Sequence, residues 1–250
     1  MRRCDGHTHP NLLKTPSGGV DFANAAVRLG FDEIVFTDHM PFSVTGDEHD
    51  RIPFGCVGDY CRAVRSLRDY FADKIKISVG IEIDFHPSCV DEIRDVLSTG
   101  SFDRVLGSSH LNIAGFGIPF EKLTRTEFAS IVIENYIAAA ESGFFDVITH
   151  LDIYRLLFTD SAFPLTDDGF LVKSVEMLLR RLFTLLERRH TALEVNAAPL
   201  YKCFDKLGPY PTREILAIAE DYKFPIVYGS DAHFADKVGF GFDICSEYLR

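Results

Sequence analysis

Short apolar runs rich in Val and Ile alternate along the chain with longer segments whose apolar residues recur every three or four positions. The first pattern predicts buried strands and the second amphipathic helices. Seven strand segments emerge: Arg3–His7, Glu33–Thr37, Lys76–Glu82, Arg104–His110, Asp146–His150, Ala192–Asn196 and Pro225–Gly229. Between them the helical period is clearest over Val57–Phe71, Thr126–Ser142 and Lys173–Arg188, and Gly30 and Gly143 stand where helix C-caps belong. Regular alternation of strand and helix implies a parallel sheet with crossover helices. Seven such units predict an α/β fold, a closed or nearly closed (β/α)7 barrel of TIM-like type. No Pro/Gly/Ser linker interrupts the alternation, so residues 1–250 are expected to form one domain. The segment Met40–Cys56 breaks the pattern. It is irregular, rich in Pro, Gly and charge, and follows a strand, which suits either a lid over a site or a tolerated surface insertion.

Composition narrows the class. With 46% hydrophobic residues and 22 Phe, the chain can fill one large core, which excludes disorder. A formal charge of −11 and the lack of a Lys/Arg run argue against a nucleic-acid partner. The start, MRRCDGHTHP, has no apolar stretch, and nowhere do about 18 apolar residues run together, so no membrane association and a cytoplasmic location are expected. The six cysteines show no C-x-x-C pair, as reduced thiols would. An acidic protein can still take a small phosphate if metal ions reverse the local field.

The histidines supply that possibility. His7, His9, His39, His110, His150 and His233 all fall at or just beyond the C-terminal ends of predicted strands, and Glu82 and Asp231 join them at two more strand ends. In barrels of parallel strands that rim is where active sites are assembled. Neutral imidazole with carboxylate suits Zn, Mn, Fe or Co, whereas Ca and Mg prefer oxygen ligands alone. His7-x-His9 and Asp231-x-His233 each place two ligands two residues apart, on one side of an extended chain. Each motif alone is weak, but six of nine histidines on one rim is not a chance pattern. His49, His86 and His190 lie away from strand ends, and His86, before Pro87, suits a turn.

The ordered motifs Asp5-Gly6-His7-Thr8-His9, Thr37-Asp38-His39, Gly80-Ile81-Glu82, Gly107-Ser108-Ser109-His110, Thr149-His150-Leu151-Asp152 and Gly229-Ser230-Asp231-Ala232-His233 resemble the PHP (polymerase and histidinol phosphatase) superfamily. Glu194-Val195-Asn196-Ala197-Ala198 followed by Tyr210-Pro211, with Val238-Gly239 after the last motif, is similar to its stand-alone histidinol-phosphatase branch.

That resemblance implies a distorted (β/α)7 barrel of TIM-like type and a site for two to three divalent ions, Zn, Mn or Fe. His7, His9, Glu82 and Asp231 would hold one, Glu82 would bridge to a second on His110 and His150, and His39 with His233 would serve a third. Asp38 and Asp152 would orient imidazoles. A water shared by two ions would be the nucleophile, so no Ser or Cys nucleophile is needed, and Asp231, Glu82 and His233 would take part in catalysis. Arg155 and Lys202 would meet the phosphate charge. The family usually reads Gly-Leu-Arg-Lys where this chain has Pro199-Leu200-Tyr201-Lys202, so Tyr201 replaces an expected arginine.

The implied reaction is hydrolysis of a small phosphate monoester, L-histidinol phosphate in particular. Other phosphorylated metabolites, amidohydrolase or nuclease-like metal chemistry, and a non-catalytic metal-binding regulatory domain remain open at this level. One departure stands out. The family supplies a further histidine about six residues after H-x-H, and here Thr15 stands near that place, with Lys14 beside it. A hydroxyl is a far poorer transition-metal ligand than imidazole, so the third ion should be held more weakly.

Overall fold

The computed structural model describes residues 3–15, 17–41, 51–53, 55–110, 123–157, 172–202 and 208–249. Residues 42–50 and 54 of the lid candidate, with His49, and Cys203 lie outside the described residues. Seven parallel strands, β1 (Cys4–Thr8), β2 (Glu33–Phe36), β3 (Lys76–Asp84), β4 (Arg104–Ser108), β5 (Val147–Ile148), β6 (Ala192–Asn196) and β7 (Ile226–Gly229), lie side by side in sequence order. The ends of this sheet meet. Asp231 N–H donates to the His7 carbonyl at 2.9 Å, and His9 N–H to the Ala232 carbonyl at 2.7 Å. A nearly closed barrel results. Its last seam is made by the chain just after β7, and that chain carries Asp231 and His233.

The seven strands fall where the apolar runs place them. β5 is much shorter than its run because the backbone leaves the ladder at Thr149, and His150 adopts a left-handed φ of 21°. β3 is longer by two residues and carries Asp84. Helices α1 (Gly18–Arg28), α2 (Val57–Tyr70), α3 (Val90–Thr99), α4 (Arg125–Ser142), α5 (Lys173–Arg189), α6 (Arg213–Ala219) and α7 (Phe242–Tyr248) connect and cover the strands. A capping box between Thr124 and Glu127 starts α4, and Gly143 in the left-handed region ends it. Gly30, with φ of 70°, follows the α1 cap residue Leu29. His190 ends α5 in the same left-handed conformation without a glycine's freedom. None of the five described cysteines is in a disulfide, and no described helix is long and apolar enough to cross a membrane.

Two apolar groups hold the barrel. The large core packs between the sheet and its helices, built from residues such as Phe36, Tyr60, Ile77, Tyr136 and Phe183. A small separate group, Leu106, Val147 and Ala192 with Val227 against it, lies on the opposite side of the sheet. Register pairs Glu82 with Leu106, Leu106 with Val147, and Val147 with Ala192, and paired residues of parallel strands share a face. Glu82 therefore points into the barrel, above this plug.

Two local features open room for it. In β1, the three steps from Asp5 to Thr8 are set against only two in β2, from Ile34 to Phe36, a bulge that re-aims His7. At Gly229 a Cβ would lie 1.9 Å from Glu194 Oε1 and 2.6 Å from the His7 Cβ, so no side chain fits. Gly229→Ala is expected to destabilise the fold by about 1–3 kcal/mol, the usual cost of overpacking. Gly58→Ala, whose Cβ would meet only Arg62 at 3.5 Å in exposed α2, should be neutral or stabilise by up to about 1 kcal/mol. Urea unfolding of both variants checks the sign; equal effects would contradict this packing.

Candidate metal centre

Four of the six strand-end histidines converge directly on one carboxylate, and a fifth, His110, shares a candidate ligand set with it. Glu82 Oε2 lies 3.2 Å from His7 Nε2, 3.4 Å from His9 Nε2 and 3.0 Å from His39 Nδ1, while Oε1 lies 2.9 Å from His150 Nε2. His9 Nε2 is also 3.4 Å from Asp231 Oδ1. The rings form a continuous array: His9 and His39 stack at 4.3 Å between centroids, with His233 4.5 Å from His9 and His110 4.9 Å from His150. Within it, three sets can each gather around one ion: His7, His9 and Glu82; Glu82, His110 and His150; and His9, His39 and His233. These sets bring together seven of the eight residues expected from the sequence, and Asp231 joins them through its approach to His9. The array adds His9 to the pair expected for the third ion.

The donor set fits divalent cations. Both ring nitrogens of His9 and Nδ1 of His39 are buried without a hydrogen-bond partner, because their approaches to Glu82 and Asp231 lack hydrogen-bond alignment. Unpartnered buried nitrogens are costly unless a ligand uses them. Burial, helped by nearby His39 and His233, pushes the His9 pKa well below the ordinary imidazole value, so its lone pair is available. Burial alone would raise the Glu82 pKa, but the charges of His39 and His7 and the bond from His150 hold it well below the usual carboxylate range. Asp231 is likewise held low against burial by Lys202 and His9.

Two carboxylates that sequence reasoning did not single out orient this array. Glu194, on β6, faces His7 Nδ1 at 2.7 Å and accepts from the His150 backbone N–H at 2.9 Å. Asp84, two residues beyond Glu82 on β3, faces His110 Nδ1 at 2.6 Å and accepts from Arg51 at 2.7 Å. Both contacts direct Nδ1 to a carboxylate and leave Nε2 for a cation, the usual arrangement behind metal-ligating histidines. Burial pulls the His110 pKa down, but the Asp84 charge outweighs it and lifts it to about 9. The signal was present: Asp84 shares Glu82's strand parity, and Glu194 is an acid inside a buried strand pattern.

Asp38 and Asp152 do something else. Asp38 accepts from the backbone N–H groups of Asn11 and Leu12 at 2.9 and 2.8 Å, fixing the loop after β1. Asp152 accepts from Thr212 N–H at 2.9 Å and pairs with Arg155 at 2.9 Å. Arg155 is buried, donates to the Pro209 carbonyl at 2.7 Å and lies over the Tyr210 ring at 4.7 Å. Lys202 instead reaches the centre, with Nζ 3.3 Å from Asp231 Oδ2. Tyr201 donates its hydroxyl to the Asp231 carbonyl at 2.5 Å, which helps hold Asp231 at its left-handed φ of 54°. A cavity of about 770 Å³ opens over the cluster, lined by His9, His233, Thr15, Tyr201 and Lys202 among others. His86 caps the short 3₁₀ turn Pro87–Cys89, as its position suggested, and His190 closes α5.

Comparison with known proteins agrees with this geometry. The family model of the PHP domain matches residues 5–198, and that of the PHP-associated region matches residues 209–242. A protein of Deinococcus radiodurans named "Probable histidinol-phosphatase" is 30% identical over 99% of this chain and 92% of its own length. The "Histidinol-phosphatase" of Bacillus subtilis is 24% identical over 97% of this chain and 98% of its own length. Among solved structures, histidinol phosphate phosphatase of Lactococcus lactis in complex with zinc, L-histidinol and phosphate superposes with a TM-score of 0.72 at 20% identity, covering 99% of this chain and 94% of that one.

Removing the support under His7 and His150 should loosen the array. Glu194→Gln is expected to weaken metal binding by about 10- to 100-fold, the usual effect of losing an orienting partner. Lys202→Met acts oppositely. It removes a cation that competes for Asp231, and should tighten binding about two- to fivefold, the worth of a half-exposed ion pair. Calorimetric titration of the stripped variants with Zn or Mn measures both, and a shift in the same direction would contradict these assignments.

Proposed function

The chain belongs to the PHP-domain family, and from that premise we propose that it hydrolyses a small phosphate monoester, L-histidinol phosphate, in a metal-dependent reaction. The observation that carries this is the clustering of six imidazoles in one array around buried Glu82 and Asp231, beneath an open cavity. His7, His9, Glu82 and Asp231 would hold one divalent ion, Glu82, His110 and His150 a second, and His39 and His233, with His9 close by, a third. When bound, such ions supply Lewis acidity toward phosphoryl oxygens and lower the pKa of water toward neutrality.

The chain's own residues do the rest. Glu194 and Asp84 fix the His7 and His110 rings with Nε2 directed inward. Lys202 stands at the cavity wall, where its ammonium meets phosphate charge and holds the substrate against the centre. Arg155 is the second cation proposed for phosphate. It lies beside the end of β6, where Tyr210 pairs with Asn196. Asp231, kept ionised, and His233, kept neutral by burial despite the Asp231 charge, are placed to take a proton from the attacking water and pass it to the departing alkoxide. Residues 1–250 act as one unit in this reading, since β7 and the chain after it complete both the barrel and the ligand set.

Phosphate release from L-histidinol phosphate should disappear in excess chelator and return with Mn or Zn, and full activity in chelator would exclude the proposal. Glu82→Gln should be among the most damaging single changes and should lower bound metal as well as rate, because one carboxylate serves two sets. Near-normal metal content in that variant would remove Glu82 from its place. L-Histidinol phosphate should exceed generic monoesters in kcat/KM by orders of magnitude, as sites built on charge and hydrogen bonding discriminate strongly.

The ions should also leave in steps. The His9, His39 and His233 set contains no carboxylate, and Thr15 lines its cavity where a further imidazole would strengthen it. Mild dialysis followed by metal analysis should leave two ions bound, and Thr15→His should retain the third. Loss of all three together, with one affinity, would contradict the assignment of a weaker third set.

A further inference from the structure

The cavity over the metal centre is lined by groups of unlike chemistry. Near the cluster lie Lys202, Tyr201 and His233, and on its wall from α1 lies Asp21. Asp21 is the only carboxylate among the described residues that line this cavity. It is exposed, and no described residue hydrogen-bonds or pairs with its carboxylate. The two lysines on the wall are engaged elsewhere: Lys202 with Asp231 at 3.3 Å, and Lys237 with Asp236 at 3.0 Å.

A lone negative charge beside a pocket for a phosphate dianion repels the substrate unless the substrate also brings a positive group to meet it. An acid in the first turn of a helix favours the helix dipole, but that role would be served equally by a side chain pointing away from the cavity. Next to His233, Phe234 turns its ring outward into the same cavity, 68% exposed, with no ring contact to any described residue. A large aromatic ring left in water on a cavity wall is a surface for a flat or cationic group.

The geometry points to Asp21 and Phe234 as the residues that select the organic part of the substrate, Asp21 taking an ammonium group and Phe234 a flat ring. This rests on the phosphatase reading above and deepens it. The substrate class is a phosphate monoester of an amino alcohol that carries an aromatic or heteroaromatic ring. L-Histidinol phosphate meets all three requirements, whereas neutral sugar phosphates meet only one.

The test compares ratios, so that general damage to the site cancels. With metal-loaded enzyme, kcat and KM are measured for L-histidinol phosphate and for p-nitrophenyl phosphate, which has a ring but no amine. Asp21→Asn is expected to lower the ratio of kcat/KM between the two substrates by about tenfold or more, the usual consequence of losing a charge-assisted contact, and chiefly through KM. Asp21→Glu should restore most of the ratio. Phe234→Ala should lower kcat/KM for L-histidinol phosphate several-fold relative to phosphoethanolamine, which has an amine but no ring. If wild-type enzyme prefers L-histidinol phosphate and Asp21→Asn keeps that preference, the inference is overturned while the phosphatase reading stands. If wild-type enzyme shows no such preference, the substrate reading fails. In that case, equal rates on phosphoethanolamine and glycerol phosphate would overturn the role of Asp21 as well.

Discussion

One buried carboxylate sets the terms for the rest of the molecule. Glu82 is fully enclosed and lies within 3.4 Å of nitrogen atoms from four imidazoles that arrive on three different segments. An isolated carboxylate so placed would cost several kcal/mol, and only the ring array with the cations it can gather offsets that. The barrel is arranged accordingly. Gly229 has no side chain because Glu194 and His7 fill the space beside it, β1 bulges where His7 turns inward, and Asp231 accepts a left-handed backbone beside the closing seam. The plug of Leu106, Val147 and Ala192 forms the dry floor beneath Glu82.

Much of this was legible in the sequence because the two periodicities involved are simple. Apolar runs marked all seven strands, and the same map put six histidines at strand ends without knowledge of pairing. What it did not mark depends on partners rather than spacing. The orienting role of Glu194 exists only because barrel closure brings β6 to within one strand of β1, at a separation of 187 residues from His7. Asp38 and Asp152 looked like orienting groups because they adjoin ligand histidines in sequence. Neighbours along a strand end point in different directions, however, and these two tie loops instead. Asp84 could have been found by extending β3 and applying its parity to Glu82, a step the turn-like Asp84-Phe85-His86-Pro87 concealed. The bulge in β1 could not, since it is a property of two strands together.

Arg155 shows how the same limit bears on function. Its position after His150 suits a phosphate contact, and guanidinium is well shaped for one. In the fold its charge is set against Asp152, and its plane against Tyr210, so part of its work is to hold the segment that pairs with β6. Lys202, less prominent in sequence, lies on the cavity wall beside Asp231. Whether a cation serves phosphate or packing is decided by whether it faces the cavity, which sequence does not contain.

The charge layout gives the site a direction. A chain of net charge −11 cannot attract a phosphate dianion through its overall field, so attraction has to be local and supplied by cations at the histidine array. Within that array the three sets differ in formal charge. Glu82 is shared by two of them, whereas the His9, His39 and His233 set is made of neutral nitrogen donors alone. An ion in the carboxylate-free set would keep more of its charge unneutralised, and that set lies on the cavity side, where His9 and His233 form part of the wall. In the function proposed above, weak retention of an ion and strong attraction for phosphate would have the same cause. A ligand set without a carboxylate holds its cation less firmly, and for that reason leaves more positive field at the place where the substrate enters.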